Sequence, residues 1–248
     1  MSDLSFGQPF LDEYTPALTR RSIKGTDSRT TAIAGSKTGR VHQLLSDLET
    51  GYFYYLEWAK NVTDIREQFP LDIDETKQIA ATLGVKHPSD KGKDIVMTTD
   101  FLVTINDKYV LARTIKPATK LSEKRVLEKL NIEKRYWESK GVDWGIVTEN
   151  EIDKVLTENI KYFHRNRTYI ADENITKDVV VSIIKEIGFS DDVISKALKH
   201  IGTELGLEAG QALSIFKCLV FRKVLKVNML KKFRPSIKCS EVKLIGVV

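Results

Sequence analysis

Cysteine is nearly missing from this 248-residue chain: Cys218 and Cys239 stand far apart, with no CxxC or CxxH spacing. A disulfide framework is thereby excluded and a structural zinc site has no ligand set, so both are read as ordinary thiols. Long apolar runs are missing too. With no stretch of about 18 apolar residues, membrane insertion is not expected. The opening residues, MSDLSFGQPFLDEYTP, have neither the basic start nor the apolar stretch of a secretory leader. The expected compartment is the cytoplasm. Gly-rich phosphate loops, Ser-His-Asp or Cys-His arrangements, internal repeats and low-complexity tracts are likewise lacking. The four histidines show no metal-ligand spacing to a second His or Cys.

What is present is a folding composition, 42% hydrophobic and 29% charged. A chain of this length buries one large core or two ordinary ones. The net charge of +5 is distributed unevenly. Residues 1–150 balance near zero and residues 151–248 carry the excess, with eight basic residues between Arg222 and Lys243 against one acid, Glu241. Such a run is either a solvated surface or a contact for nucleic acid or an acidic partner. Charge alone does not choose between them.

Residues 1–40 are polar and irregular, with Pro9, Pro16, Gly25, Gly35 and Gly39, and read as an arm or loose cover. Val41, Leu44, Leu45, Leu48, Tyr52, Tyr55 and Leu56 recur at three- and four-residue steps and predict one apolar helix face, with Gly51 as a weak point. NVTDIREQFPL (61–71) alternates and predicts a strand closed by Pro70, followed by a short helical stretch at 75–83. TTDFLVTI (98–105) and YVLARTIK (109–116) predict two more strands joined by a turn at Asn106–Lys108. Ser122 is placed to cap a helix running to about Lys140, where Gly141 stops it. VDWGIVT (142–148) then reads as a buried strand parallel to the second of that pair. Near 149–153 the texture turns helical. The expected division is an arm at 1–40, an α/β domain at 41–150, and at 151–248 a mostly helical, winged-helix-like domain ending in a small basic hairpin.

The paired strings carry the chemistry. A three-residue turn sets Asp100 opposite Thr114, and alternation puts Thr114 and Lys116 on that same side, so Asp100 and Lys116 become diagonal neighbours. One residue more or less in the turn would send Asp100 to the other face. Phosphodiester hydrolysis needs an activated water and a stabilised pentacovalent charge, which carboxylate-held Mg²⁺ and a nearby ammonium supply together. In that reading Asp100 holds metal and Lys116 orients the water. From spacing alone, a surface Asp and Lys on a strand pair is the better-supported reading. Glu49 lies at the margin of the helical stripe, one turn after Leu45, while Asp47 projects away. It is either a third member of the site or an ordinary boundary glutamate.

The strings KTGRVHQLLSDLE, LEWAKNVTDIREQFPL, KHPSDKGKDIVMTTDFLV and IKPATKLSEKRVLEKLNIEKRYWESKGVDWGIVTENEI, in this order and spacing, resemble the TnsA endonuclease subunits of heteromeric bacterial transposases. The likeness runs from about Lys37 to Ile152 and continues more weakly through the helical part. It implies a restriction endonuclease-like fold at 41–150, a mixed sheet flanked by helices, and a winged-helix-like domain after it. It implies Mg²⁺-dependent nicking, with Mn²⁺ as a substitute, of the 5′ strands at transposon ends, while a TnsB-type DDE transposase cuts and joins the 3′ ends. A TnsC-type AAA+ regulator is the implied partner of the C-terminal domain. The family's glutamate, aspartate and lysine fall on Glu49, Asp100 and Lys116. Its glutamine two residues before the lysine is here Thr114, a shorter and weaker ligand, beside which the Ile115 carbonyl can also bind metal. Arg40, Lys91 and Lys93 around the site, and Lys231, Lys232 and Arg234 in the basic tail, are the expected DNA contacts. His42 and His87 are read as structural or DNA-proximal. The alternative is a weakened nuclease-fold subunit that serves DNA binding and assembly.

Overall fold

The alternating strings at 61–71, 98–105 and 109–115 build the sheet at the centre of the first of two units, Met1–Asp153 and Lys154–Val248. The computed structural model describes residues 4–19, 21, 29–171 and 175–246. In the first unit the elements run β1 (Thr31–Ala34), β2 (Val41–Leu44), α1 (Asp47–Trp58), β3 (Val62–Pro70), α2 (Ile73–Thr82), β4 (Ser89–Asp90), β5 (Lys93–Asp94), β6 (Thr98–Ile105), β7 (Tyr109–Ile115), α3 (Lys124–Ser139) and β8 (Asp143–Val147). The order β3-β6-β7-β8 makes a mixed four-stranded sheet, antiparallel up to β7 and parallel between β7 and β8. Helices flank it, as in a restriction endonuclease-like fold.

Each face of the sheet buries its own apolar cluster. Leu44, Phe53 and Leu56 of β2 and α1 meet Ile65, Phe101, Val103, Ile115 and Val147 on one side. On the other, Ala80 of α2 and Ile132, Tyr136 and Trp137 of α3 meet Phe69, Leu71, Leu102, Val110 and Ala112. Ile65 and Phe69 lie four residues apart in β3, where strict alternation would keep them on one face. They sit on opposite faces because Gln68, between them, is at φ +49.

Three local expectations are corrected. The periodicity from Val41 predicted a helix starting there, but Val41–Leu44 is a strand paired with β1. Ser46, extended at φ −150 and ψ 164, starts the helix instead by accepting from the Glu49 N–H at 3.1 Å. Ser122 is not the cap of α3; it ends a 3₁₀ turn at Ala118–Ser122, and the helix follows Glu123. The N-terminal stretch is no loose cover where it is described. Tyr14 is buried and donates to the Glu67 carbonyl at 2.9 Å, and Phe6 meets the Trp137 ring edge-on. Residues 1–3, 20 and 22–28 of the expected arm lie outside the described residues.

The hairpin follows its predicted geometry. Ile105 pairs with Tyr109 and Phe101 with Arg113, leaving the three-residue loop Asn106–Lys108. Asn106 and Asp107 take the positive φ values, 50° and 53°, that these residue types tolerate best. The paired register ends at Phe101 and Arg113; beyond it the Asp100 carboxylate, not the backbone ladder, takes the Ile115 N–H, and the Thr114 hydroxyl turns to Glu133.

The second unit contains α4 (Lys154–His164), α5 (Lys177–Phe189), α6 (Ile194–Glu204) and α7 (Gln211–Phe221), then β9 (Leu225–Lys226) and β10 (Lys243–Leu244), which pair antiparallel. Ile160, Phe163, Ile183, Ile215, Phe216 and Leu219 are fully buried among these helices. The small basic hairpin expected at the end of the chain is short: Cys239–Glu241 is a 3₁₀ turn and Lys243–Leu244 alone pairs with β9; Val247 and Val248 lie outside the described residues. The basic segment between β9 and β10 is tied down by Asn159. Its amide donates to the carbonyls of Met229 and Lys231 at 2.8 and 2.7 Å and accepts from the Phe233 N–H at 2.9 Å. Phe233 inserts among the rings of Tyr162, Phe163 and Phe216.

Candidate active site

Glu49 is held by its own helix start. Its carboxylate accepts from the Leu45 N–H at 2.8 Å and the Ser46 hydroxyl at 3.0 Å, so the side chain folds back over the N-terminus of α1, where the helix dipole favours an anion. It is buried, and burial, with the charge of Asp100 next, pushes its pKa up to about 7. Asp100 comes from the β6 side of the hairpin. One of its oxygens, Oδ2, accepts both the Ile115 N–H at 2.7 Å and the Lys116 ammonium at 3.0 Å. Lys116 also donates to the Ile115 carbonyl at 2.9 Å, and its side chain remains about a third exposed. Burial pulls its pKa down, but Asp100, followed by Glu133 and Glu49, more than reverses that. The lysine is a cation at neutral pH.

Two residues that the periodicity did not single out join them. Gln68 is 2% exposed, and its Nε2 lies 3.3 Å from Glu49 Oε2 and 3.5 Å from Asp100 Oδ1, bridging the two carboxylates. Alternation in 61–71 gave no reason to bury it. Glu133 lies under Thr114: the Thr114 hydroxyl donates to its Oε1, and Thr99 donates to the same oxygen at 2.7 Å. Trp137 Nε1 in turn donates to the Thr99 hydroxyl at 2.6 Å. A signal for Glu133 was available, since it sits inside the stripe Leu130, Tyr136 and Trp137, where a carboxylate must find partners.

Burial, reinforced by Asp100, raises the Glu133 pKa to about 7. A carboxyl raised above its unfolded value makes the folded state hold the extra proton between about pH 4.5 and 7. Stability therefore falls as pH rises through that window. Glu133→Gln keeps an acceptor for Thr114 and Thr99 without the charge. It is expected to be the more stable form at pH 8, by on the order of 1–3 kcal/mol, and to flatten the pH dependence. Urea unfolding of both proteins between pH 5 and 8 checks this.

The expected DNA contacts fall into two groups. Arg40 is corrected: its side chain is only 8% exposed and its guanidinium is committed to Glu67 at 2.8 and 2.6 Å, the Ile65 carbonyl at 2.7 Å and the Leu11 carbonyl at 3.0 Å. A phosphate could not reach a fork already closed by a carboxylate. Lys91 and Lys93 are exposed on the β4–β5 hairpin, with Lys91 at φ +47. Lys231, Lys232 and Arg234 are exposed in the second unit. His42 is fully buried between Thr38 and Glu67, and His87 is buried against Thr76 and Asp94.

Residues 59–149 match the family described as TnsA-like endonuclease N terminal, and residues 151–229 match TnsA endonuclease C terminal. The chain is also 39% identical over 246 residues to the Transposon Tn7 transposition protein TnsA of Escherichia coli, a match covering 98% of this chain and 89% of that protein. Asp100, Thr114 and Lys116 lie within the first family match, and Glu49 lies just before it. The likeness spans both units and nearly every residue: the chain belongs to the TnsA endonuclease family.

Proposed function

We propose that this chain cleaves the 5′, non-transferred strands at transposon ends as a Mg²⁺-dependent endonuclease, leaving a 3′-hydroxyl and a 5′-phosphate. The observation that carries the reading is the pair of buried carboxylates, Glu49 and Asp100, beside the Lys116 ammonium at the end of the β6–β7 hairpin. The donor set fits a hard divalent cation: two carboxylates, the Ile115 carbonyl and neutral oxygens, with no thiol or imidazole. Glu49, Asp100 and the Ile115 carbonyl would hold it. Such an ion lowers the pKa of bound water and neutralises charge on the phosphate.

The chain's own groups do the rest. Asp100 anchors Lys116, whose cation favours hydroxide over water nearby and stabilises the developing phosphorane charge. Ser46 and the Leu45 N–H fix the Glu49 carboxylate so that it does not swing into solvent. Lys91, Lys93, Lys231, Lys232 and Arg234, all exposed, serve the DNA backbone and carry no sequence reading. The family likeness supports work alongside other transposase subunits, and the partners proposed are a TnsB-type DDE transposase for the 3′ ends and a TnsC-type AAA+ regulator on the second unit.

The test is strand-resolved cleavage of labelled transposon-end DNA by the reconstituted subunits. EDTA is expected to stop 5′-strand cleavage, with Mg²⁺ or Mn²⁺ restoring it and phosphate found on the 5′ terminus. The turn of Thr114 toward Glu133 favours a second reading, a subunit that retains the fold for DNA binding and assembly. Absence of 5′-strand cleavage at any metal concentration, with transposition complexes still forming, would select it.

A further inference from the structure

We propose that Gln68 is a ligand-bearing residue of this metal centre, its carboxamide supplying the neutral oxygen that Thr114, turned to Glu133, does not. The inference rests on the metal-dependent reading above. Glu49 and Asp100 are two carboxylates, and among the described residues no group of three or more Asp, Glu, His or Cys side chains is arranged to hold an ion. A six-coordinate hard cation then draws further oxygens from carbonyls, amides or water.

Gln68 is the amide already in place. Its Nε2 stands 3.3 Å from Glu49 Oε2 and 3.5 Å from Asp100 Oδ1, within reach of both carboxylates that would hold the cation. Its Oε1 accepts from the Thr98 hydroxyl at 3.2 Å. A hydroxyl both donates and accepts, so a half-turn of the amide keeps the Thr98 hydrogen bond while presenting Oε1, instead of N–H, to the space between the carboxylates. No backbone movement is needed.

The backbone supports this assignment. Gln68 holds φ +49 inside a strand whose neighbours pair regularly, Glu67 with Phe101 and Phe69 with Thr99. A non-glycine residue pays for that conformation, and such outliers persist where the surroundings over-determine them, commonly at functional sites. Glycine would meet the backbone requirement at no strain. The positive φ serves the change of face between Ile65 and Phe69, which glycine would serve as well; that the position carries a buried glutamine beside two carboxylates points to a use for the side chain in addition to the turn.

The test is Mn²⁺ binding by the full chain, followed by calorimetry, with thermal unfolding as the folding control. Gln68→Gly, which relieves the positive φ but gives up the buried amide's hydrogen bonds, is expected to remain folded with a modestly lower unfolding temperature and to bind Mn²⁺ about tenfold or more weakly. Gln68→Glu, which adds a carboxylate, is expected to bind about tenfold more tightly, and Thr114→Ala to change affinity by less than about twofold. Asp100→Ala is expected to abolish binding. If Asp100→Ala abolishes binding while Gln68→Gly and Gln68→Glu match wild type, Gln68 is no ligand and the metal reading stands. If the wild-type chain binds no Mn²⁺ at about 10 mM, far above the affinity of typical carboxylate sites, both fall.

Discussion

Asp100→Ala is expected to lower 5′-strand cleavage by on the order of 10³-fold or more, in a complex whose 3′-strand chemistry is unchanged. One carboxylate oxygen organises three groups at once. Oδ2 accepts the Ile115 N–H at 2.7 Å and the Lys116 ammonium at 3.0 Å, and that ammonium also touches the Ile115 carbonyl. Alanine removes the carboxylate proposed to hold metal, frees the lysine to swing toward solvent, and leaves a buried N–H without its acceptor. The last effect alone costs about 1–3 kcal/mol of stability, so a folding control is essential. Asp100→Asn supplies it, because an amide oxygen still accepts from Ile115 while the charge is gone. It is expected to fold as wild type and still lose cleavage by about 10² or more. Equal 5′-strand cleavage by wild type and Asp100→Ala would sink the catalytic assignment and leave the assembly reading.

The largest expected effect on stability lies away from Glu49, Asp100 and Lys116. Glu67 is fully buried in β3 and accepts from Arg40 through two nitrogens, from His42 Nδ1 at 2.8 Å and from the Gln43 N–H at 2.9 Å. Burial by itself raises its pKa, but Arg40 and then His42 outweigh it and hold the carboxyl down at about 2. Glu67→Ala leaves the Arg40 guanidinium almost wholly buried without its counter-charge. The expected loss is about 3–5 kcal/mol, a large share of the 5–15 kcal/mol typical of a domain. All three tryptophans, Trp58, Trp137 and Trp144, fall in the first unit. Their fluorescence in urea therefore reports its unfolding alone.

The pH dependence of that network has a definite sign. A depressed carboxyl contributes stability that is fully present above its unfolded value near 4.5 and is lost as pH falls through about 2. Wild type is expected to lose stability progressively below pH 4.5, and Glu67→Gln to lose much less over the same range. A wild-type and Glu67→Gln difference that is constant from pH 5 to 2 would remove Glu67 from the account.

Much of the site was legible because hairpin register is local. A three-residue loop with Asn and Asp at its positive-φ positions fixes the pairing of β6 and β7 as far as Phe101 with Arg113, and so brings Asp100, the next residue, within reach of Ile115 and Lys116. Glu49 was legible as a margin position, although the helix starts six residues later than Val41, since Ser46 caps it and the preceding apolar residues pair as a strand. Ser122 was misread because a capping residue type was present where the chain first makes a 3₁₀ turn. Arg40 shows the limit of reading charge as exposure: a basic residue before a helix looks solvated until a glutamate 27 positions away closes on it.

The sequence by itself determined the strand pairing, the spacing of Asp100, Thr114 and Lys116, and the family, because turn chemistry, alternation and long matching strings are properties of neighbours along the chain. Tertiary structure alone decided that Gln68 lies between the two carboxylates, that Thr114 turns to Glu133, and that Arg40 is buried on Glu67. Each of these is a polar group taken out of water. Its partner is then set by whichever distant element packs against it, and the periodicity of its own segment cannot name that element.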